Sequence, residues 1–181
     1  MAELSSSALI ILAAGSSSRM GRPKQLLPVG GCPLLRRVAE ACVGSGIANV
    51  IVVLGSNAEE IRPALAGLSV HIVVNENWPE GMGSSVRAGM TMMASVMPAA
   101  KGVVIALADQ PKFSTRHITR LFDAQRETGG SIVASRYKEK LSPPALFAQV
   151  YFPALRALQG DTGARSLFQK HRWYVSRSTK R

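Results

Sequence analysis

The stretch "ALIILAAGSSSRMGRPKQ" (residues 8–25) joins a short apolar run to a loop of small residues that holds two glycines and three cations. A continuous apolar run of this length is typical of a strand buried on both faces. Gly15 and Gly21 allow backbone conformations closed to other residues, and the small side chains around them let backbone amides approach an anion closely. The stretch therefore predicts a buried strand whose carboxyl end meets a phosphate.

The rest of the chain alternates strand and helix patterns. Further apolar runs predict strands over residues 49–55, 70–75, 102–109 and 131–137. Helical spacing predicts helices over residues 33–44 and after Asn57, Gly81 and Ser114, with Asn57 and Ser114 as caps and Pro63 shortening the second helix. Continuous apolar strands between helices predict a three-layer α/β fold around a mainly parallel sheet, in a single domain over residues 1–181.

A stripe of methionines marks the helix after Gly81. Met82, Val86, Met90, Met93 and Met97 recur at helical spacing. Methionine fills irregular gaps in protein interiors. We therefore expect this stripe to face the core rather than to bind a metal or a ligand.

Lysine and arginine number 22 against 11 acidic residues, which gives a formal net charge of +11. This excess is typical of proteins that bind phosphates or nucleic acid. The chain has no acidic residue after Asp161, so much of the excess belongs to a basic tail from about residue 169. The tail has only Trp173 and Tyr174 as stacking candidates, which makes nucleic acid the least favoured partner.

The cysteine and histidine pattern argues against a zinc-binding protein, and the hydropathy pattern argues against a membrane-spanning one. Two cysteines and three scattered histidines form no zinc-like spacing. No apolar run is long enough to span a bilayer, which predicts a cytoplasmic protein without membrane contact.

The cations of the opening loop favour phosphate binding over a merely flexible loop. Arg19 can form two hydrogen bonds to one phosphate, and Lys24 can act as a mobile point charge. The glycine spacing matches neither a Walker A loop nor a dinucleotide fingerprint. The sequence thus predicts a phosphate site of another kind.

Segments along most of the chain carry one further pattern: "LAAGSSSRMGRPKQLLPVGGCPLL" (residues 12–35), "NENWPEGMGSSVRAG" (residues 75–89), "LADQP" and "LQGDTGAR". Together they resemble the MobA-like nucleotidyltransferases, the family that includes molybdenum cofactor cytidylyltransferase and its guanylyl-transferring relatives. The first segment resembles the signature of that family, and the second resembles their second nucleotide-facing segment. "LADQP" (residues 107–111) resembles their metal-binding turn, and "PALF" with "LQGDTGAR" (residues 158–165) their acceptor-side segments. The resemblance implies the family's three-layer Rossmann-like nucleotidyltransferase fold.

The resemblance also implies a reaction and its residues. A nucleoside triphosphate and a phosphorylated acceptor would give a diphosphate-linked product and pyrophosphate, with Arg19, Lys24 and Asp109 as catalytic residues and Mg²⁺ held by Asp109. The acceptor would contact Gln110, Pro144 and Asp161. The nucleotide would contact Leu12, Ala13, Ala14, Gly15, Ser16, Arg19, Lys24, Asn75, Gly81, Met82, Ser84 and Ser85.

The resemblance leaves the substrates open. Ala14 resembles the cytidylyl members and favours CTP over GTP, while "ADQP" and "GDTGAR" favour molybdopterin as acceptor, with a molybdoenzyme or maturation factor as a possible partner. "KQLLP" resembles instead the cytidylyltransferase of methylerythritol phosphate, so an isoprenoid or sugar-phosphate acceptor is the alternative.

Two departures from the family pattern keep a further alternative open, a nucleotide-binding homologue with weakened catalysis. "LSPPALF" replaces a flexible glycine step, and two prolines restrict the backbone there. The family's acidic C-terminal segment, which supplies a second metal carboxylate, has no counterpart. Asp161 and Asp123 are the possible substitutes.

Overall fold

A computed structural model of the chain describes residues 2–17, 20–137, 140–161, 163–170 and 174–177. The strands in these ranges are β1 (Ser7–Leu12), β2 (Pro28–Val29), β3 (Cys32–Pro33), β4 (Asn49–Leu54), β5 (His71–Val74), β6 (Gly102–Leu107), β7 (Ile132–Tyr137), β8 (Lys140–Ala148) and β9 (Tyr174–Arg177). The α-helices are α1 (Ala2–Ser5), α2 (Leu34–Val43), α3 (Ala58–Ile61), α4 (Met82–Val96), α5 (Thr115–Thr128), α6 (Phe152–Arg156) and α7 (Arg165–Lys170). Short 3₁₀ turns cover Lys24–Leu26, Arg62–Leu65, Trp78–Glu80 and Gln149–Tyr151.

Seven of the strands form one sheet in the order β5-β4-β1-β6-β8-β7-β9. β1 pairs in parallel with both β4 and β6, so that Ile10 lies opposite Ile51 on one side and Ile105 on the other. Only β8 runs antiparallel to its neighbours, β6 and β7. The prediction of a mainly parallel sheet is confirmed, and the antiparallel β8 adds a strand that the sequence patterns did not mark.

Helices cover both faces of this sheet and make the three layers. Because side chains alternate along β1, Leu9 and Ile11 pack with α2, α3 and α5, while Ala8 and Ile10 pack with α4, α6 and α7. Both faces of β1 are completely buried, as the continuous apolar run requires. No helix in the described ranges is long and apolar enough to cross a membrane.

Three local expectations need correction. Met90 and Met93 are buried as predicted, but Met82 is 39% exposed because it begins α4 at the edge of a cleft. Asn57 precedes α3 in a left-handed conformation without a capping hydrogen bond from its side chain. Ser114 does stand at the N-cap of α5, yet its hydroxyl pairs with His117 Nδ1 at 2.9 Å. The shortening at Pro63 is confirmed, since α3 ends at Ile61 and continues as a 3₁₀ turn.

At Gly89, α4 lies in close contact with β1 and β4. A Cβ atom at this position would lie 2.6 Å from Ile10 Cγ2 and 3.2 Å from Val53 Cγ2. Both neighbours are completely buried and cannot move aside. Only glycine lets α4 approach the sheet this closely.

We expect Gly89→Ala to lower the free energy of unfolding by about 1–3 kcal/mol through overpacking. Helix propensity alone would favour alanine over glycine by about 1 kcal/mol. Ser95→Ala, at an exposed position of the same helix, is the matched control and should stay within about 0.5 kcal/mol of the parent. Denaturant unfolding measures both, and a Gly89→Ala protein as stable as the parent would contradict the packing argument.

Candidate active site

The carboxyl ends of β1 and β6 open into a cleft of ≈ 350 Å³, which we call the first cleft. Ligands of open α/β sheets bind at this end of the strands. Residues that follow β1, the segment that leads into α4, the end of β6 and Asp161 line it. The lining residues are Leu12, Ala13, Ala14, Gly15, Ser16, Lys24, Gln25, Trp78, Pro79, Gly81, Met82, Ser85, Leu107, Ala108, Asp109 and Asp161.

The loop after β1 is fastened to its neighbours by backbone hydrogen bonds. Ala13 N donates to Val53 O at 2.8 Å, and Ser56 N donates to Ala14 O at 3.1 Å. A Cβ atom at Gly55 would lie 2.8 Å from Ala14 Cβ, so the end of β4 presses directly on this loop. Ala13 and Ala14 therefore continue the backbone hydrogen bonding between β1 and β4 beyond Leu12, the last residue of β1.

Gln25 holds the described first part of the loop, residues 13–17. Its side chain is 1% exposed, and its Nε2 donates to Ala13 O at 2.7 Å and to Gly15 O at 2.9 Å. Ser17 Oγ donates to Gln25 Oε1 at 3.3 Å and accepts from Lys24 N at 3.0 Å. A buried amide bonded at both ends therefore holds residues 13–17 in one conformation.

Sequence reasoning missed Gln25, although a signal was present. Gln25 directly follows Lys24, which the sequence predicts to bind phosphate, and it is a polar residue before the apolar pair "LL" in the run "PKQLL". Buried polar side chains satisfy backbone groups nearby. The expectation that both loop glycines adopt conformations closed to other residues is correct for one of them. Gly21 has a φ of +64°, whereas Gly15 has no left-handed φ and lies beside open space. Gly15 thus leaves room for a ligand and does not serve the turn.

Lys24 and Asp109 meet across the first cleft. Lys24 Nζ lies 2.8 Å from Asp109 Oδ2, with side-chain exposures of 35% and 38%. β1 and its loop position the lysine, and β6 positions the aspartate two residues after its last strand residue. The structure therefore brings together two of the three residues that the sequence predicts as catalytic. The third, Arg19, lies outside the described residues.

Asn75 and Ser84 stand behind the cleft wall and do not line it. Asn75 is 5% exposed, and its Nδ2 donates to Ser84 Oγ at 2.8 Å and to Ser85 Oγ at 3.1 Å. Ser84 Oγ also lies 2.8 Å from the carbonyls of Asn77 and Gly81. These groups satisfy one another and hold the start of α4, so of the three residues only Ser85 reaches the first cleft.

Glycines bring Asp161 into the cleft. A Cβ atom at Gly81 would lie 2.5 Å from Asp161 Oδ1, and one at Gly83 would lie 2.9 Å from the backbone of Gln159. Gly83 N donates to Gly160 O at 2.8 Å. The start of α4 and residues 159–161 are thus in direct backbone contact. Asp123, the other possible second carboxylate, pairs with Arg126 at 2.7 Å on α5 and lines neither cleft.

A second cleft of ≈ 460 Å³ adjoins the first and shares four residues with it, Asp161 among them. Its own lining is largely apolar and comes from β6, β8 and α7. The lining residues are Leu12, Met82, Ile105, Leu107, Ser142, Pro143, Ala145, Phe147, Asp161, Ala164, Ser166 and Phe168. The Phe147 and Phe168 rings stack with centroids 5.9 Å apart.

The predicted acceptor residues take different positions at this second cleft. Asp161 lines it, whereas Pro144 turns its carbonyl to Ser135 Oγ at 2.9 Å and leaves the cleft wall to Pro143. Gln110 donates its Nε2 to Pro143 O at 2.7 Å, and its Oε1 is buried without a partner among the described residues. Gln110 therefore ties the turn after β6 to β8, and its role toward an acceptor stays a prediction.

The charges of the first cleft are unbalanced for a phosphate ligand. Its described lining has one cation, Lys24, and two carboxylates, Asp109 and Asp161. A triphosphate would meet net repulsion from these three groups alone. Further positive charge must therefore accompany such a ligand.

The cysteines and histidines of the described ranges add no metal site. No group of three or more histidine, cysteine, aspartate or glutamate side chains able to hold a metal occurs among the residues that the structure describes. Cys32 and Cys42 are free thiols, and burial raises the pKa of the Cys42 thiol far above its ordinary value. Cys42 is accordingly a small core residue.

Comparisons with known proteins give the family. Residues 9–174 match the MobA-like NTP transferase domain. Nicotine blue oxidoreductase of Paenarthrobacter nicotinovorans is 35% identical over 92% of this chain and 83% of its own length. Purine catabolism protein PucB of Bacillus subtilis is 31% identical over 88% of this chain and 79% of its own length. The chain belongs to the MobA-like NTP transferase family.

Solved structures agree with this family. Rv0371c of Mycobacterium tuberculosis H37Rv superposes with a TM-score of 0.83 at 29% identity, over 97% of this chain and 89% of that one. A structure of the same mycobacterial protein is a complex with manganese. The three-layer nucleotidyltransferase fold is confirmed.

We expect Gln25→Leu to destabilise the protein by about 1–3 kcal/mol, because it leaves two loop carbonyls without their donor. Nucleotide binding should weaken at the same time, since the loop would no longer keep one conformation. The matched control is Gln125→Leu, because Gln125 Nε2 reaches only Gly130 O at 3.5 Å. Unfolding curves and calorimetric titration with CTP measure both effects. Unchanged affinity in a folded Gln25→Leu protein would contradict the assigned role.

Proposed function

We propose that this MobA-like NTP transferase family member moves a nucleoside monophosphate, CMP by preference, from a nucleoside triphosphate to a phosphorylated acceptor and releases pyrophosphate. The observation that carries the proposal is the Lys24–Asp109 pair at 2.8 Å, at the mouth of a fixed small-residue loop and beside a second cleft. The loop and Lys24 suit a triphosphate, and the adjoining cleft suits the partner to which the nucleotide is joined.

The residues of the first cleft fit a divalent cation. Asp109 and Asp161 are two carboxylates in a cleft whose described charges would otherwise repel a triphosphate. Mg²⁺ is commonly bound through one or two carboxylates together with substrate phosphates and waters. We infer that Asp109 and Asp161 would hold Mg²⁺, which would supply charge neutralisation to the phosphates when bound.

Side chains and backbone groups of this protein then stabilise the transfer of the nucleotide and the departure of pyrophosphate. An oxygen of the acceptor phosphate attacks the α-phosphorus, the bond from that phosphorus to the bridging oxygen breaks, and pyrophosphate leaves with the electron pair of that bond. Lys24 stabilises the negative charge that grows on the leaving group. Arg19 is proposed to add to this stabilisation. The loop fixed by Gln25 keeps its backbone in place, so little reorganisation is needed during the reaction.

CTP is favoured by the small space at Ala14. Ala14 is 5% exposed at the wall of the first cleft, and Gly55 at the end of β4 lies directly against its Cβ. The backbone there cannot recede to admit a larger base. A pyrimidine therefore fits this wall better than a purine.

The second cleft supports a ring-bearing acceptor such as molybdopterin. Its walls include Phe147, Phe168 and Pro143, and its polar groups are two serines and Asp161. A planar ring with hydrogen-bond donors suits such a lining. A compact sugar or isoprenoid phosphate would leave much of this apolar surface uncovered, which makes it the less favoured acceptor.

A second candidate function is oxidoreduction, and one observation favours it. The relative that is 35% identical over 92% of this chain bears the name nicotine blue oxidoreductase. A reductase would use the first cleft for a nicotinamide nucleotide and the second for an aromatic substrate. Consumption of reduced nicotinamide nucleotide with an aromatic acceptor, without pyrophosphate release, would decide for this function.

The proposed function is tested by pyrophosphate release. CTP, GTP and ATP are each combined with molybdopterin, methylerythritol phosphate and a sugar phosphate in the presence of Mg²⁺. We expect release with CTP and molybdopterin, and a loss of roughly 10²–10³-fold in Lys24→Met. Lys101→Met is the matched control, because exposed Lys101 precedes β6 at the opposite end of that strand. No release with any pair would refute nucleotidyl transfer to these acceptors.

We expect Asp109→Asn and Asp161→Asn each to weaken Mn²⁺ binding measured in the presence of CTP, because each removes a charged oxygen ligand. The matched control is Asp123→Asn, since Asp123 pairs with Arg126 outside both clefts. Electron paramagnetic resonance of free Mn²⁺ reports the bound fraction without any turnover. Equal binding in Asp109→Asn and in the parent would show that the metal lies elsewhere.

A further inference from the structure

We propose that Arg87 is a positioning residue that locks together the walls of the two clefts. This inference rests on the proposed function for its kinetic consequence. Arg87 belongs to α4 and touches neither cleft. Its guanidinium instead joins two segments that are far apart in the sequence and contribute lining residues.

The contacts of Arg87 run in two directions. One guanidinium nitrogen, Nη1, donates to Leu158 O at 2.5 Å, and the other, Nη2, forms an ion pair with the Glu80 carboxylate. Glu80 ends the 3₁₀ turn Trp78–Glu80, whose Trp78 and Pro79 line the first cleft. Leu158 stands three residues before Asp161, which lines both clefts. One side chain thus fixes both segments to the same helix.

The backbone segments that meet at the start of α4 need hydrogen bonds of this kind to stay ordered. Gly81, Gly160 and Gly163 have φ values of +111°, +62° and +50°. Glycine-rich segments lose much conformational freedom on ordering, so residues 158–161 need external contacts to stay in place. The Gly83 N–Gly160 O bond at 2.8 Å is one such contact, and Arg87 supplies the second on the side of Leu158.

An arginine meets this task better than a lysine. The planar guanidinium presents several donors in a fixed fork, so one nitrogen can serve the Leu158 carbonyl while another serves the Glu80 carboxylate. The side chain is 29% exposed. Partial burial strengthens the charge-assisted bond to Leu158 O, whereas the Glu80 side chain is 49% exposed and adds a weaker surface pair. Through them, the placement of Asp161 is coupled to the turn that bears Trp78.

The experiment compares Arg87→Met, Arg87→Lys and the control Arg126→Met by hydrogen exchange followed with mass spectrometry. Arg126 also pairs with a carboxylate, that of Asp123, but on α5. We expect Arg87→Met to speed exchange roughly tenfold or more in peptides that cover residues 78–83 and 158–161, with the sheet unchanged. Arg87→Lys should give a smaller increase, and Arg126→Met should leave both segments as in the parent.

Kinetics supply the second measurement. If the arginine acts by placing Asp161, Arg87→Met should raise the KM for the acceptor and lower kcat, together roughly ten- to hundredfold in kcat/KM, and Arg87→Lys should recover part of this loss. Glu80→Gln, which leaves the Leu158 bond intact, should affect the nucleotide KM more than the acceptor KM.

Two outcomes would overturn the inference. Unchanged exchange in both segments of Arg87→Met would show that Arg87 does not hold them. Faster exchange throughout the chain in Arg87→Met and Arg87→Lys alike would show a general structural role. Because exchange is measured without substrates, failure of the proposed function would appear separately, as a parent protein that releases no pyrophosphate.

Discussion

The hydrogen bonds of one buried amide, Gln25, hold the loop on which the rest of the site depends. A loop of small residues suits an anion because its backbone is accessible, yet the same small residues give it many conformations. Gln25 resolves this conflict because its Nε2 binds two loop carbonyls, at 2.7 and 2.9 Å, while its Oε1 accepts from Ser17. With the loop fixed, Lys24 stands at a defined distance from the end of β6, and Asp109 can meet it.

The second organising feature is close backbone contact at the start of α4. Gly89 lets the helix approach β1, and Gly81 with Gly83 let residues 159–161 approach the helix. Each contact excludes a Cβ atom, so the positions of the helix and of Asp161 are linked by sterics before any charge is considered. The position of Asp161 therefore depends, through α4, on the position of the buried sheet. Asp161 comes 149 residues after Leu12, the last residue of β1. Arg87 and Asn75 add hydrogen bonds to an arrangement that packing already favours.

The sequence predicted the parts of the fold that local patterns encode. Continuous apolar runs located β1, β4 and β6, and the strand-to-loop transition located Lys24 and, with the resemblance, Asp109. It did not reveal that β8 is antiparallel, because strand direction depends on pairing between distant segments. Nor could spacing distinguish Asp161 from Asp123, since only the close packing of glycines brings the former into the cleft. Asn75 and Ser84 show the opposite limit: the resemblance implied that both contact the nucleotide, whereas the fold places a hydrogen bond between their side chains.

The Lys24–Asp109 pair illustrates how weak interactions serve such a site. Both side chains are more than a third exposed, at 35% and 38%, and pairs in that environment contribute about 0–1 kcal/mol to stability. Separating the two groups therefore costs little, and a triphosphate offers Lys24 several anionic oxygens in place of one carboxylate. In the proposed reaction, the same exchange would release Asp109 to face a divalent cation. A deeply buried pair would have been held too firmly for this, because removing one partner leaves an uncompensated charge. The chain thus combines a loop fixed by buried hydrogen bonds with charged side chains that remain free to change partners.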